Sequence, residues 1–289
     1  MRITDYTQLE LLFKRSTSLP PLPSSALKLI KAIDSGEASA IEIERIINGD
    51  PALASNVLRV TSNDGRVAST RLAIMRMGQK TVRSLAVSMA VQALYSSPSE
   101  CGFDAHLFSR HSAFTGFLAR YLVVRGKQLG TIEVTAAPDE VFAAGLLHDL
   151  GIALLAKVAP EAYLHVAATA QASEVSLEEA FFDLYDKPLV SLAAVAASTW
   201  GLPSVFCTVF EHLSDPVGAG PERGLVACVA IASDYANQAA MRCEPWDYVS
   251  TPSDVLVAEL GIPDDELTNA VGLVTEQTTA FVPETKKAA

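Results

Sequence analysis

Aromatic residues are scarce in this 289-residue chain, at 7% against 49% hydrophobic residues overall. Its apolar content therefore rests on Ala, Leu and Val, which points to helices packed closely through small side chains. Cysteine is also sparse. Cys101, Cys207, Cys228 and Cys243 show no C-x-x-C spacing, so they read as reduced, mostly buried thiols of a cytosolic protein. No run reaches the ~18 apolar residues needed to span a bilayer, and the N-terminus lacks a basic-then-apolar signal pattern. A cytoplasmic protein with no membrane association is the expectation. Positive charge is short as well. With 22 basic and 33 acidic residues the net charge is −11, so the surface as a whole should repel nucleic acid and anionic membranes. No helix-turn-helix signature is evident either, and DNA is not an expected partner. Internal repeats, low-complexity tracts and alternating strand patterns are missing.

Helical periodicity and helix punctuation fill the chain instead. Tyr6 to Arg15 reads as a short helix, and Leu19-Pro-Pro-Leu-Pro23 as an extended entry. Helices are expected from Ser24 or Ser25 to Ile33, from Ala40 to Ile47 behind the capping-box residues Ser39 and Glu42, and from Pro51 behind Asp50 as N-cap. Asn63-Asp-Gly65 reads as a turn, and a single long helix is expected from about Leu72 to Leu94. Ser96-Ser-Pro-Ser-Glu-Cys-Gly102 is the best internal boundary. Helices are expected beyond it near 104–124, 138–158, 160–171, 176–184, 188–199, 203–213, 222–240 and 264–280. The chain thus reads as all-α with two helical lobes, residues 1–98 and 99–245, followed by a helical extension and tail over 246–289.

His148-Asp149 stands out, set in the apolar stretch Val141 to Leu155 and expected in the middle of a helix. Burying an unpaired carboxylate costs several kcal/mol, so the pair needs a satisfier. A metal, a phosphate-bearing ligand with its metal, or other buried polar residues would each serve. His111 precedes His148 by 37 residues (148 − 111), and Asp234 follows Asp149 by 85 (234 − 149). Two imidazoles and two carboxylates suit one divalent cation such as Mn, Fe or Mg, with positions left open for water. Such an ion could activate water against a phosphate ester. His212 reads as a neighbour of the site or a surface residue, and His106 and His165 as ordinary. Gly145 and Gly151 flank the pair, marking either close backbone approach or tight packing with a helix end.

The order H…HD…D resembles the HD superfamily of metal-dependent phosphohydrolases. Further motifs narrow the likeness: Leu19-Pro-Pro-Leu-Pro23, Ile46-Ile-Asn-Gly-Asp-Pro-Ala-Leu53, Leu58-Arg-Val-Thr-Ser62, Ala73-Ile-Met-Arg-Met-Gly78, Gly145-Leu-Leu-His-Asp-Leu-Gly151 and Trp200-Gly-Leu-Pro203. Over residues 15–240 they resemble the HDOD family, the HD-related output domains. That resemblance implies an all-α fold whose C-terminal lobe is HD-domain-like. It also implies a non-catalytic bacterial signalling or regulatory module, acting through protein partners or a ligand such as a nucleotide. The alternative it carries is a metal-dependent phosphohydrolase of a nucleotide or phosphodiester, with His111, His148, Asp149 and Asp234 as metal ligands. The chain departs from the pattern at Asp186-Lys-Pro-Leu189, where relatives often carry another histidine, and at Val60-Thr61-Ser62, where Ala-Asn-Ser is usual.

A second signal is electrostatic. Arg59, Arg66, Arg71, Arg76, Lys80 and Arg83 face a single acid, Asp64, across residues 59–83, giving that window +5 and the remainder −16 (−11 − 5). On one continuous helix Arg76, Lys80 and Arg83 would share a face and could dock an anion or an acidic partner. The alternative is a solvated face paired with acids of the second lobe.

Overall fold

The structure, a computed structural model, describes residues 5–15, 23–61, 69–93, 101–239, 241–243 and 253–282. The described residues contain helices and no strand, the all-α class that the sequence predicts. In chain order the helices are α1 (Tyr6–Lys14), α2 (Ser24–Asp34), α3 (Ala40–Asn48), α4 (Pro51–Thr61), α5 (Thr70–Met77), α6 (Gln79–Ala93), α7 (Ala105–Leu129) and α8 (Pro138–Leu147). There follow α9 (Leu150–Val158), α10 (Pro160–Ser173), α11 (Leu177–Tyr185), α12 (Ser191–Trp200), α13 (Ser204–His212), α14 (Arg223–Gln238), α15 (Asp254–Leu260) and α16 (Asp264–Phe281). The expected turn at 63–65, the segment 19–22 and the boundary residues 96–100 lie outside the described residues.

The chain divides into two compact units, 20–94 and 1–19 with 95–289. The smaller unit holds α2 to α6 around Leu29, Ile43, Ile47, Leu53, Val57, Ile74 and Val82. The starts of α3 and α4 follow the sequence signals. Ser39 Oγ accepts from the Glu42 N–H at 3.2 Å, and Asp50 Oδ1 accepts from the Leu53 N–H at 3.1 Å. One expectation fails here. The helix foreseen from Leu72 to Leu94 is two helices, because Gly78 takes φ 79°, ψ 160°, outside the helical region, and closes α5. Arg76 therefore lies on α5 and Lys80 and Arg83 on α6, so the three do not form one helix face. Arg76 is exposed and Arg83 half-buried, while the side chains of Lys80, Arg59 and Arg66 lie outside the described residues.

In the larger unit α8, α14 and α16 all pack on α7. The first helix belongs here and not with the small lobe. It buries Leu9 and Phe13, packs on α12, and its Tyr6 hydroxyl hydrogen-bonds Ser191 Oγ at 2.7 Å. The C-terminal segment is likewise part of this core. Phe281 of α16 meets Phe117 at 5.5 Å and Phe142 at 6.2 Å, and Arg125 reaches Glu266 twice, at 2.5 and 2.9 Å. Residues 138–158 are apolar enough by length and composition to cross a bilayer, contrary to the reading that no such stretch exists. However, 83% of that stretch is buried inside the protein, and a break at His148 and Asp149 divides it into α8 and α9.

Candidate metal centre

Helix α7 begins at Asp104, whose side chain accepts from the His106 and Leu107 N–H groups, and ends at Gly130 in the left-handed conformation. It is the buried spine of the unit. His111 lies two turns in, 1% exposed, between apolar neighbours such as Phe108 and Phe114. Helix α8 crosses α7 at a glycine pair. A Cβ on Gly145 would stand 2.6 Å from Gly116 Cα, so neither position has room for a side chain. This close crossing is what brings His148 up to His111.

The His-Asp pair is not in mid-helix. His148 closes α8, and Asp149, at φ −97° and ψ 21°, sits at the start of α9. That backbone region is sparsely populated and recurs where side chains must be aimed. The break turns Asp149 toward both imidazoles. Gly151 is then inside α9 and does not end the preceding helix.

The hydrogen bonds fix the tautomers. His111 Nδ1–H donates to the Met241 carbonyl at 2.8 Å, and His148 Nδ1–H to the Gly145 carbonyl at 2.8 Å. A carbonyl can only accept, so each neutral ring carries its proton on Nδ1 and presents a bare Nε2. Those two Nε2 atoms are 3.1 Å apart, and Asp149 Oδ2 lies 3.2 Å from the first and 3.1 Å from the second. Three electron-pair donors thus converge in a nearly dry place. The Ser233 hydroxyl, 3.1 Å from His148 Nε2 and 3.4 Å from His111 Nε2, brings one proton to this set. Cys243 Sγ–H donates to Asp149 Oδ2 at 3.3 Å. Burial pushes the Asp149 carboxyl up, but once the imidazoles are protonated the charge of His148 and hydrogen bonds from both rings outweigh it and hold the group well below the usual carboxylate range.

Such a cluster needs a cation, either a proton on one imidazole or a metal ion. The donor set fits a metal. Separations of 3.1–3.2 Å match the edge of an octahedron with bonds of about 2.2 Å, and two histidines with one carboxylate form the facial triad that holds ferrous-type ions with open positions.

A cavity of about 630 Å³ adjoins the cluster, lined by His148, Asp149, Ser233, Asp234 and Glu178 among others. The four residues expected as ligands are thus placed unequally. His111, His148 and Asp149 come together. Asp234 lines the cavity, while its α14 neighbour Ser233 faces the imidazoles. His212 ends α13 half-buried, and the next two residues, Leu213 and Ser214, line the cavity in its stead.

Three contributors escaped the sequence reading. Ser233 had a signal, since it sits one residue from a named candidate. Cys243 reads in sequence as one more buried thiol. Glu178 is hidden beside a capping box, in which Glu179 reaches back to the Ser176 N–H. Glu178 turns inward and accepts from the Leu189 N–H at 3.0 Å. Burial pushes its carboxyl up and the nearby Asp149 charge adds to that, against the pull of Leu189, leaving it at about 7. The folded state therefore binds a proton that the unfolded chain has released. Stability from this group is full below the unfolded value near 4.5 and is lost as pH rises through 7. We expect metal-free protein to lose roughly 1–3 kcal/mol between pH 5 and pH 8 at this site. Glu178→Gln should flatten that slope in urea titrations at the two pH values; an unchanged slope would place the effect elsewhere.

The HDOD domain family model matches residues 19–216. No curated protein matches the chain. Among solved structures, an HDOD domain protein of unknown function from Geobacter sulfurreducens is similar at 18% identity and TM-score 0.65, over 94% of this chain and 99% of that one. A candidate phosphohydrolase from Shewanella amazonensis SB2B aligns at 22% identity and TM-score 0.61, over 93% of each chain. A candidate signal transduction protein from Marinobacter aquaeolei VT8 aligns at 19% identity and TM-score 0.67, over 96% of this chain and 65% of that one. These identities speak for the fold; the family model, which takes in more than half of the residues together with the His-Asp pair, places the chain in the HDOD family.

Proposed function

We propose that this protein is a non-catalytic signalling or regulatory module of the cytoplasm, in which the His111–His148–Asp149 centre holds one divalent cation and the surface binds a signalling protein partner. One observation carries the non-catalytic reading. The cavity beside the centre is lined by Asp149, Glu178, Glu179 and Asp234, and no lysine or arginine lines it among the described residues. Phosphoryl chemistry depends on cationic groups that hold the phosphate and stabilise charge as it develops. Four carboxylates oppose that, and a single ion would have to neutralise both them and the substrate. A nucleotide could enter only with its phosphates against that ion.

The second reading, a metal-dependent phosphohydrolase, draws support from Glu178. A carboxyl that titrates near neutrality beside a metal centre is suited to general acid–base work. A bound ion would supply Lewis acidity and a more acidic water. Similarity to the candidate phosphohydrolase from Shewanella agrees with this reading at the level of fold. The two readings separate in one assay. Protein loaded with Mn²⁺ or Fe²⁺ is expected to hydrolyse a generic phosphodiester and a nucleoside triphosphate no faster than His148→Ala does. Turnover that disappears in His148→Ala would establish the hydrolase.

A further inference from the structure

On the reading that the centre binds a metal, we infer that Cys243 is a fourth ligand, which makes the site a His₂–Asp–Cys centre selective for a thiophilic ion of the zinc or ferrous class over Mg²⁺ or Mn²⁺. The geometry is direct. A ring nitrogen of His111, an Asp149 carboxylate oxygen and Cys243 Sγ all lie within 4.8 Å of one another; His148 stands outside that group, with its Nε2 3.1 Å from His111 Nε2 and from Asp149 Oδ2. Two donors on one ion, a nitrogen at about 2.1 Å and a sulfur at about 2.3 Å, can stand up to about 4.4 Å apart. His111, Asp149 and Cys243 can therefore share one ion after a modest contraction, and His148 Nε2 and Cys243 Sγ must draw together as the ion binds for all four to reach it.

Charge points the same way. A divalent ion held by two neutral imidazoles and one carboxylate leaves a net +1 at a centre where both imidazoles are at most 1% exposed. Uncompensated charge in such a place is costly. Glu178, Glu179 and Asp234 line the cavity outside the converging donors and α14 presents the neutral Ser233 to the imidazoles, so a second anion bonded to the ion itself has to come from another element. The Cys243 thiol is 2% exposed and already touches Asp149 Oδ2. When the ion binds, the S–H bond breaks, the sulfur keeps the electron pair and forms the bond to the metal, and the proton leaves to solvent. The ion's two charges are then matched by one carboxylate and one thiolate.

The backbone is built for both tasks. Met241 and Cys243 are buried with Arg242 between them half-buried, so this short segment alternates inward and outward. Through the Met241 carbonyl it fixes the His111 tautomer, and through Cys243 it delivers sulfur two residues later. Both residues lie beyond 19–216, the span matched by the family model. Softness then sets the preference: thiolate favours zinc and ferrous-class ions, while Mg²⁺ and Mn²⁺ favour oxygen donors. It also agrees with the non-catalytic reading, since a centre with four protein ligands is the closed, structural kind.

Co²⁺ serves as the probe. Full-length protein titrated with Co²⁺ should show a near-ultraviolet thiolate-to-cobalt charge-transfer band at one equivalent. Cys243→Ser should lose that band while keeping the visible ligand-field bands, and its Zn²⁺ affinity should fall by more than the roughly 10–100-fold typical of losing an outer partner. Cys243→Asp, which restores the negative charge with oxygen, should shift preference toward Mn²⁺. Wild-type protein that binds Co²⁺ without a charge-transfer band, or Cys243→Ser that binds Zn²⁺ as tightly as wild type, would overturn the assignment of Cys243 and leave the metal centre standing. If wild-type protein takes up neither Co²⁺ nor Zn²⁺, the metal centre itself falls, and this inference with it.

Discussion

Replacing Gly145 by alanine is expected to destabilise the larger unit by about 3 kcal/mol, near the upper end of the usual cost of overpacking a core. The added methyl would stand 2.6 Å from Gly116 Cα, 2.9 Å from Gly116 N and 3.1 Å from the Thr115 carbonyl carbon. Carbon atoms pack comfortably at roughly 3.5–4.0 Å. All three obstacles are backbone, so no rotamer change relieves them, and α7 and α8 have to move apart. The site feels the same movement. His148 follows Gly145 by one helical turn and is held by its carbonyl, and His111 lies on the opposing helix one turn before Thr115. Metal affinity should therefore fall along with stability. Gly272 on α16 is the control, because a Cβ there meets nothing within 4 Å. Gly272→Ala should be neutral or stabilising by up to about 1 kcal/mol, since alanine is the better helix former. Equal unfolding midpoints for the two variants in guanidinium would show that the α7–α8 contact is not what holds the centre together.

The same crossing shows what a sequence can and cannot announce. Local signals act over three or four residues, and they were legible: Ser39 and Asp50 cap the helices they were expected to cap. The His-Asp pair was legible because a carboxylate in an apolar run demands an explanation. Its backbone setting was not. Nothing in Leu147-His-Asp-Leu150 is a helix breaker, and the break arises from tertiary demands at the cluster rather than from local propensity. Gly78 fell inside the helix expected from Leu72 to Leu94 when it was a stop, because an isolated glycine within a helical pattern fits both. Ser233 and Asp234 differ by one position, which on a helix is a turn of about 100°. An ordered motif resolves a helix but not the face of it that reaches the site. Cys243 had no local signal whatever. Its role follows from proximity to His111, 132 residues earlier (243 − 111), and only the fold supplies that.

Asp149→Asn should lower Zn²⁺ or Co²⁺ affinity by a factor on the order of 10³, equivalent to about 4 kcal/mol, while leaving the metal-free protein as stable as wild type or slightly more so. The change is nearly isosteric, so packing around the α8–α9 break is kept. Its electrostatic consequence depends on what the cluster is for. If the pair exists to fix helix packing, the metal-free state relies on a protonated imidazole facing the carboxylate, and removing one partner of a buried ion pair should cost about 3–5 kcal/mol. If the cluster exists to bind a cation, the metal-free state is the frustrated one, with two unprotonated Nε2 atoms and a carboxylate oxygen held 3.1–3.2 Å apart and the Ser233 hydroxyl bringing one proton to the two imidazoles. An asparagine amide relieves that frustration, because its N–H can donate to an imidazole nitrogen where the carboxylate could only accept. The gain is that of one satisfied buried hydrogen bond, about 1 kcal/mol. The sign of the stability change in metal-free protein thus separates the two purposes before any metal is added. A loss of several kcal/mol would make the His-Asp pair a packing device. Unchanged or raised stability, together with lost metal uptake, would mean that the fold holds these acceptors together for the sake of an ion.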